Sequence, residues 1–283
     1  MAKKANTLTD DVQNVHRSIA MANFAAGAAE SSTQRDKAAV QKQIDTGKEN
    51  ALLTLRALVG IDIYEPDPRK TSAITYGGAL IKGKETLSLL DEANASAQSN
   101  AIVNAHEAME RFIKSVASKF MYAKRKVVPV YKRDKKKAKN RFGKKLAAEN
   151  TPQYFDQIVD QIASRNCHTL FKMLNKYVSE LESRSTNGHY GNYADIHDAV
   201  EFIRHSHTHS NGRFDENDLT DHSAQSQKLI KACVRRSVIH KDDRILPTHD
   251  QVSKLLAREA EYCQIIYDAI SNELDMSVGY IPN

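Results

Sequence analysis

An all-α helical bundle is the fold this sequence predicts, on three observations. Apolar residues recur at spacings of three and four along several segments long enough to be helices. The N-terminal stretch is rich in alanine and almost free of glycine and proline, and no set of alternating segments calls for a sheet, apart from a short hairpin around Val238 to Leu246. With 283 residues, 41% of them hydrophobic, the chain can bury one sizeable core with an appendage or two small cores.

The elements follow in order. A helical region runs from about Leu8 to Val59, with Ala51, Leu52, Leu55, Leu58 and Val59 on one face. It must stop around Tyr64-Glu-Pro66-Asp-Pro68, because proline lacks a donor and restricts the residue before it. A second break follows at Tyr76-Gly77-Gly78. A helix resumes near Lys84, with Leu87, Leu90 and Ala93 in phase, and the polar Ser96 to Asn100 stretch is expected to end it. We place a domain boundary there, between residues 1–98 and 99–283.

From Ala101 to Ala123 the positions Ile102, Ala105, Met109, Phe112, Ile113, Val116, Ala117 and Phe120 define a buried helix. A basic insertion at about 124–150 interrupts the pattern. Asn150-Thr151-Pro152 then reads as an N-cap with proline in the first turn, opening one helix that carries Phe155, Ile158, Val159, Ile162, Leu170, Phe171, Leu174, Tyr177 and Leu181. Gly188 and Gly191 end it. The stripe Ile196, Ala199, Val200, Ile203 marks the next helix. A last helix from Asp250 to Leu274 aligns Val252, Leu255, Leu256, Ala260, Cys263, Ile266, Tyr267 and Ile270, with Asp250 where a cap belongs.

Composition narrows the function classes. There is no run of about eighteen apolar residues and no signal-peptide core, so no membrane partner is expected. Cys167, Cys233 and Cys263 are far apart, which argues against a disulfide framework or a cysteine zinc site and for a cytoplasmic home. The net charge of +6 is concentrated. Residues 124–145 hold twelve Lys or Arg against Asp134 alone, so that segment carries +11 and the rest of the chain sums to −5. A polyanion relieves such a block best, and RNA is the partner we expect, with Lys132, Arg133, Lys135, Lys136, Lys137, Lys139 and Arg141 as its track. Tyr122, Tyr131 and Phe142 interleave with these cations and could stack on bases. The plainer alternative is a solvated loop.

The chemistry-bearing segment is Arg204-His205-Ser206-His207-Thr208-His209-Ser210-Asn211-Gly212, which follows an apolar helical stripe. A guanidinium can hold a phosphate, and an imidazole with a free pKa of about 6.5 moves protons at neutral pH without a metal. Arginine followed by histidine five positions later occurs four times, at 184/189, 204/209, 235/240 and 244/249, so spacing selects none of them. Context selects the second, where a helix delivers the pair and Asn-Gly follows it. Arg204 and His209 lie about 500° apart around an ideal helix, so sharing a site requires the helix to bend or end between them. The other histidines, including His189, His197, His222, His240 and His249, are expected at the surface or in caps.

The run Ala199-Val-Glu-Phe-Ile-Arg204-His-Ser-His-Thr-His209-Ser-Asn-Gly212 resembles the signature of the HEPN superfamily (higher eukaryotes and prokaryotes nucleotide-binding). Asn100 to Met121, with Glu107 and Glu110, resembles the family's first helix, and Arg244-Ile-Leu-Pro-Thr with the helix after it resembles the closing segment. The resemblance implies a HEPN-like helical domain that dimerises across a composite cleft. It implies a metal-independent endoribonuclease, often a toxin or antiphage effector, needing no cofactor. The RNA 2′-hydroxyl would attack phosphorus, with His209 transferring protons, Arg204 stabilising the transition state and His205 orienting either group. Two rivals stand beside it. One is a metal hydrolase using His205, His207 and His209, which converge only on a strand. The other is a noncatalytic RNA-binding or scaffolding protein. The first hundred residues carry no chemical signature; they would pack on the bundle, mediate oligomerisation or bind a regulatory protein partner.

Overall fold

The computed structural model describes residues 5–46, 83–164, 167–184, 186–187, 191–238 and 240–278. The helical face at Ala51 to Val59, the two breaks at residues 64–68 and 76–78, and Gly188 and His189 lie outside them. Among the described residues the chain is an all-α bundle with two minimal two-stranded ladders. None of the described helices is long and apolar enough to cross a membrane.

Helix α1 (Thr9–Asp45) packs against α2 (Gly83–Ala123) and α9 (His249–Glu273). The centre of the bundle is α2, which also meets α4 (Pro152–Ala163), α5 (His168–Tyr177) and α7 (Tyr193–Ser210). Because neighbours surround it, α2 buries more than one stripe. All eight apolar positions expected of it are at most 3% exposed, and Ala101, Ala108 and Met121 are buried as well.

The expected helix end at Ser96 to Asn100 does not occur, and the boundary at 98/99 falls inside α2. Polar side chains there are tolerated because they have partners. Gln98 donates to the Ala26 carbonyl at 2.9 Å, and its oxygen meets His249 Nδ1 at 3.3 Å. Leu8, Val12, Val15, Ile19, Ala22 and Ala26 of the first region belong to the same apolar core as α2 and α9. At the far end of α1 the carboxylate of Asp11 accepts from Lys119 at 2.6 Å, and Asn6 donates to Tyr267 and Ser271. The first region therefore packs on the bundle.

The single helix expected from Pro152 to Leu181 is three: α4, α5 and α6 (Ser179–Ser183). Between the last two, Val178 adopts extended backbone, which buries its own side chain and turns Leu181 inward. Thr151 caps α4 as expected, its hydroxyl accepting from Tyr154 N with Pro152 behind it. The cap of α9 is Thr248, two residues before the expected Asp250. Thr248 and Gln251 form a reciprocal capping box, and Asp250 sits in the first turn.

The basic insertion contains a helix, α3 (Lys132–Phe142), which buries Ala138 and packs on α4. After β1 (Thr186–Asn187) and β2 (Gly191–Asn192), α7 leads to α8 (Ala224–Ala232). The expected hairpin is present but begins earlier, pairing β3 (Val234–Arg236) with β4 (Asp243–Ile245).

Candidate active site at the end of helix α7

Asn192 caps α7 through a bond from Ala194 N at 2.8 Å, and the helix then runs unbroken through Ser210. Thr208 bonds back to the Arg204 carbonyl without interrupting it. Asn211 and Gly212 end the helix in left-handed conformations, φ 51° and 75°. The positive φ favours glycine at 212, although a Cβ there would meet the Ile245 carbonyl only at an ordinary contact distance of 3.5 Å.

This helix end is clamped rather than free. Gly212 O accepts from Ile245 N at 2.8 Å, Ser206 Oγ donates to Arg213 O at 2.8 Å, and Arg244 donates to the Asn211 carbonyl at 2.6 Å. The segment Arg244-Ile245 and the motif are thus neighbours, held by the β3–β4 hairpin.

With no bend between them, Arg204 and His209 stay on different faces of α7. Arg204 is half-buried, while His205 and His209 are exposed, one turn apart, with ring centroids 4.6 Å from each other. His207 shares the inward face with Arg204. Its Nε2 meets Asn100 Oδ1 at 3.2 Å, and burial lowers its pKa below the ordinary 6.5. The three alternating imidazoles do not converge, so the metal site considered for His205, His207 and His209 is not formed.

Arg204 faces a buried polar core that the apolar stripes concealed. Its Nε is buried without a hydrogen-bond partner, and its charge reaches Glu110 of α2. The Glu110 carboxyl is held low by His106, against the effect of burial, and then by Arg204 and Lys114. His106 lies on α2 with Nε2 3.7 Å from Glu110 Oε1 and Nδ1 3.7 Å from Glu259 Oε1 of α9. Burial works to lower the His106 pKa, but the two carboxylates prevail and raise it to about 9.

His197 of α7 completes the group. Its ring stacks on His106 at 4.9 Å, Phe171 meets its edge at 4.7 Å, and its Nδ1 lies 3.8 Å from Glu259 Oε1. His197 was expected at the surface or in a cap, but it is 2% exposed, with His106 at 0% and Glu259 at 2%. The reason is phase. His197 lies between Tyr193 and Val200 on the core stripe of α7, and Glu259 lies between Leu255 and Cys263 on that of α9. A polar residue at a core position was the signal that could have found them. The remaining histidines behave more plainly: His222 pairs with Asp198 at 2.7 Å, His240 donates its backbone N–H to Ser237, and His249 opens α9.

The proposed RNA track is set apart from this cluster. On α3, Lys132, Arg133, Lys136, Lys139 and Arg141 are exposed and Lys135 and Lys137 half-buried. Arg133 lies 3.7 Å from Asp134, Lys135 lies 3.2 Å from Glu149, and Arg141 donates to the Asp160 carbonyl at 3.1 Å. Asp160 also lies 3.9 Å from Lys114, one turn beyond Glu110 on α2. Lys114 thus stands between Asp160, whose backbone carbonyl holds Arg141, and Glu110.

Comparison of the chain with known protein families, with curated proteins and with solved structures finds no match. The geometry must carry the functional argument. The three cysteines are free and buried, and burial pushes the Cys167 and Cys233 thiols up to about 12 and 11, so none is a poised nucleophile. Within the motif, the exposed imidazoles are those of His205 and His209.

Proposed function

We propose that this chain is a HEPN-like, metal-independent endoribonuclease acting as a homodimer. The observation that carries this reading is the exposed His205–His209 pair on a rigidly clamped helix end, one turn beyond an arginine aimed inward. Within one protomer Arg204 and His209 diverge, so the reaction needs a second α7 to bring an exposed imidazole opposite the guanidinium. In that arrangement His209 accepts the 2′-hydroxyl proton as the 2′-oxygen bonds to phosphorus and gives it to the departing 5′-oxygen as the P–O5′ bond breaks, while Arg204 neutralises the charge growing on the phosphoryl oxygens. His205, against the His209 ring, orients it. The product is a cyclic 2′,3′-phosphate and a 5′-hydroxyl. The cations of α3 hold the RNA backbone, a role supported by their exposure along one short helix.

One observation favours the second reading, a noncatalytic RNA-binding protein. Arg204 is half-buried and already faces Glu110, which leaves it less free to grip phosphate. Incubation of purified protein with total RNA in chelator, beside Arg204→Ala and His209→Ala, separates the two. Cleavage with cyclic phosphate ends that both variants lose supports the nuclease. Equal RNA patterns in all three, with salt-sensitive binding retained, establish the binding protein instead.

A further inference from the structure

We propose that His106, His197 and Glu259 form a closed, structural site for a zinc-class divalent metal ion, tying helices α2, α7 and α9 together. The inference is independent of the ribonuclease reading, because the site lies in the core and touches no substrate.

The first argument is an accounting of polar atoms. Nδ1 and Nε2 of both histidines and both carboxylate oxygens of Glu259 are buried without a hydrogen-bond partner. Native cores leave few such groups unsatisfied, because each has given up its hydrogen bonds to water. Four of the six, the two Nδ1 atoms and the two Glu259 oxygens, are the ligands a single ion would take.

The second argument is distance. The two histidine Nδ1 atoms stand 3.7 and 3.8 Å from the same Glu259 oxygen, too far for hydrogen bonds. Two ligands each about 2.1 Å from a tetrahedral ion are separated by about 3.4 Å. One donor atom from each of the three residues lies within 4.8 Å of the others, so an ion would draw the two nitrogens toward the Glu259 oxygen by about 0.3–0.4 Å and the nitrogens toward each other by at most about 1.4 Å, within reach of side-chain rotation. Both Glu259 oxygens are unpaired, so bidentate binding fills the fourth position without an outside ligand.

The third argument is the outer environment. A metal-bound histidine usually directs its other ring nitrogen at a carboxylate, which fixes the tautomer. His106 does so: Nδ1 faces Glu259 and Nε2 faces Glu110. Phe171 and the buried Tyr262 and Cys263 wall the site from water, as suits a closed site rather than a catalytic one. Two turns separate His197 from Arg204, so the ion also fixes the rotation of the helix that presents the motif.

The test uses the full chain purified without chelator. Elemental analysis is expected to find about one zinc per chain. After unfolding and refolding in chelator, added Zn²⁺ should raise the melting temperature saturably, and Co²⁺ should give the visible absorption of a four-coordinate site. Glu259→Gln and His197→Gln, which preserve side-chain volume, should lose the metal, whereas His222→Gln should keep it. Glu110→Gln should weaken affinity about ten- to a hundredfold. Two results overturn the proposal: a wild-type chain that purifies without metal and whose melting is indifferent to both ions, or folded Glu259→Gln and His197→Gln variants that still bind one equivalent. The first needs no variant, so failure of the substitutions to fold does not protect the idea.

Discussion

Replacing Arg204 and His209 separately by alanine distinguishes a catalytic motif from a structural one, because the structure assigns the two residues very different costs. Arg204 is half-buried beside Glu110, whose side chain is 24% exposed. Its removal takes one cation from that carboxylate, which keeps His106 and Lys114, and strips packing from the inward face of α7. A wholly buried pair would cost about 3–5 kcal/mol, and solvent screening at this partly open position reduces that to roughly 1–2 kcal/mol. At about 2 °C per kcal/mol for a chain of this size, the melting temperature should fall by about 2–4 °C. His209 is exposed and contacts the His205 ring, so its loss should stay within about 0.5 kcal/mol. Activity should not follow stability. Each variant should lose on the order of two to four decades of cleavage rate, measured on a fluorophore-labelled RNA in chelator with product ends analysed. A His209→Ala protein that melts like the wild type and cleaves at the wild-type rate would refute the assignment of that imidazole as the proton carrier.

Further expectations follow from single contacts. Thr151→Ala removes the hydroxyl that caps α4 and should cost about 1 kcal/mol, seen as a lower urea midpoint with unchanged slope; an unchanged midpoint means the cap contributes nothing. Glu92 of α2 is buried and accepts from Ser237 Oγ at 2.9 Å and from Val238 N, so Glu92→Ala should loosen the β3–β4 hairpin by about 2–3 kcal/mol. Amide exchange at residues 237–245 should then accelerate while that of α4 does not. Reversing Lys132, Lys136 and Lys139 to Glu should weaken RNA binding and reduce the log–log salt slope by about 2; an unaltered slope removes α3 as the track. Burial lowers the pKa of His207 below its unfolded value of 6.5, so the unfolded chain takes up the proton more readily. Its share of stability is therefore complete above pH 6.5 and declines as the pH falls below that value. His207→Gln should flatten that part of the pH–stability curve, and an identical curve would show that the ring is not desolvated.

Much of the architecture was legible because helical burial is written as a period. The stripes from Ile102 to Phe120, from Ile196 to Ile203 and from Val252 to Ile270 are core faces as read, since a helix exposes one side to its neighbours and the apolar residues must occupy it. Where elements end was less legible. Ser96 to Asn100 looked like a terminus because it is polar, yet its partners lie on α1 and α9, more than seventy residues away in the case of Ala26. Val178 carries no breaker signal; the helix turns there because both Val178 and Leu181 find core on the far side.

The same limit governs the candidate site. Local sequence marks Arg204, His205 and His209 as a chemically able trio at a helix end, but only the continuous α7 separates their directions. His197 reads as a surface or cap residue and His106 and Glu259 carry no signal of their own, because each is a lone polar residue in an apolar stripe, and a stripe says nothing about what faces it.

By itself, the sequence determined the helical class, the three main buried faces, the cap at Thr151 and the concentration of positive charge in residues 124–145, because each is a property of neighbours along the chain. Tertiary structure alone decided that the first region shares the core, that Arg204 turns inward while His209 turns out, and that three distant helices bring two imidazoles and a carboxylate together. Those outcomes depend on how helices rotate and pair, which packing of whole faces sets and no local pattern encodes.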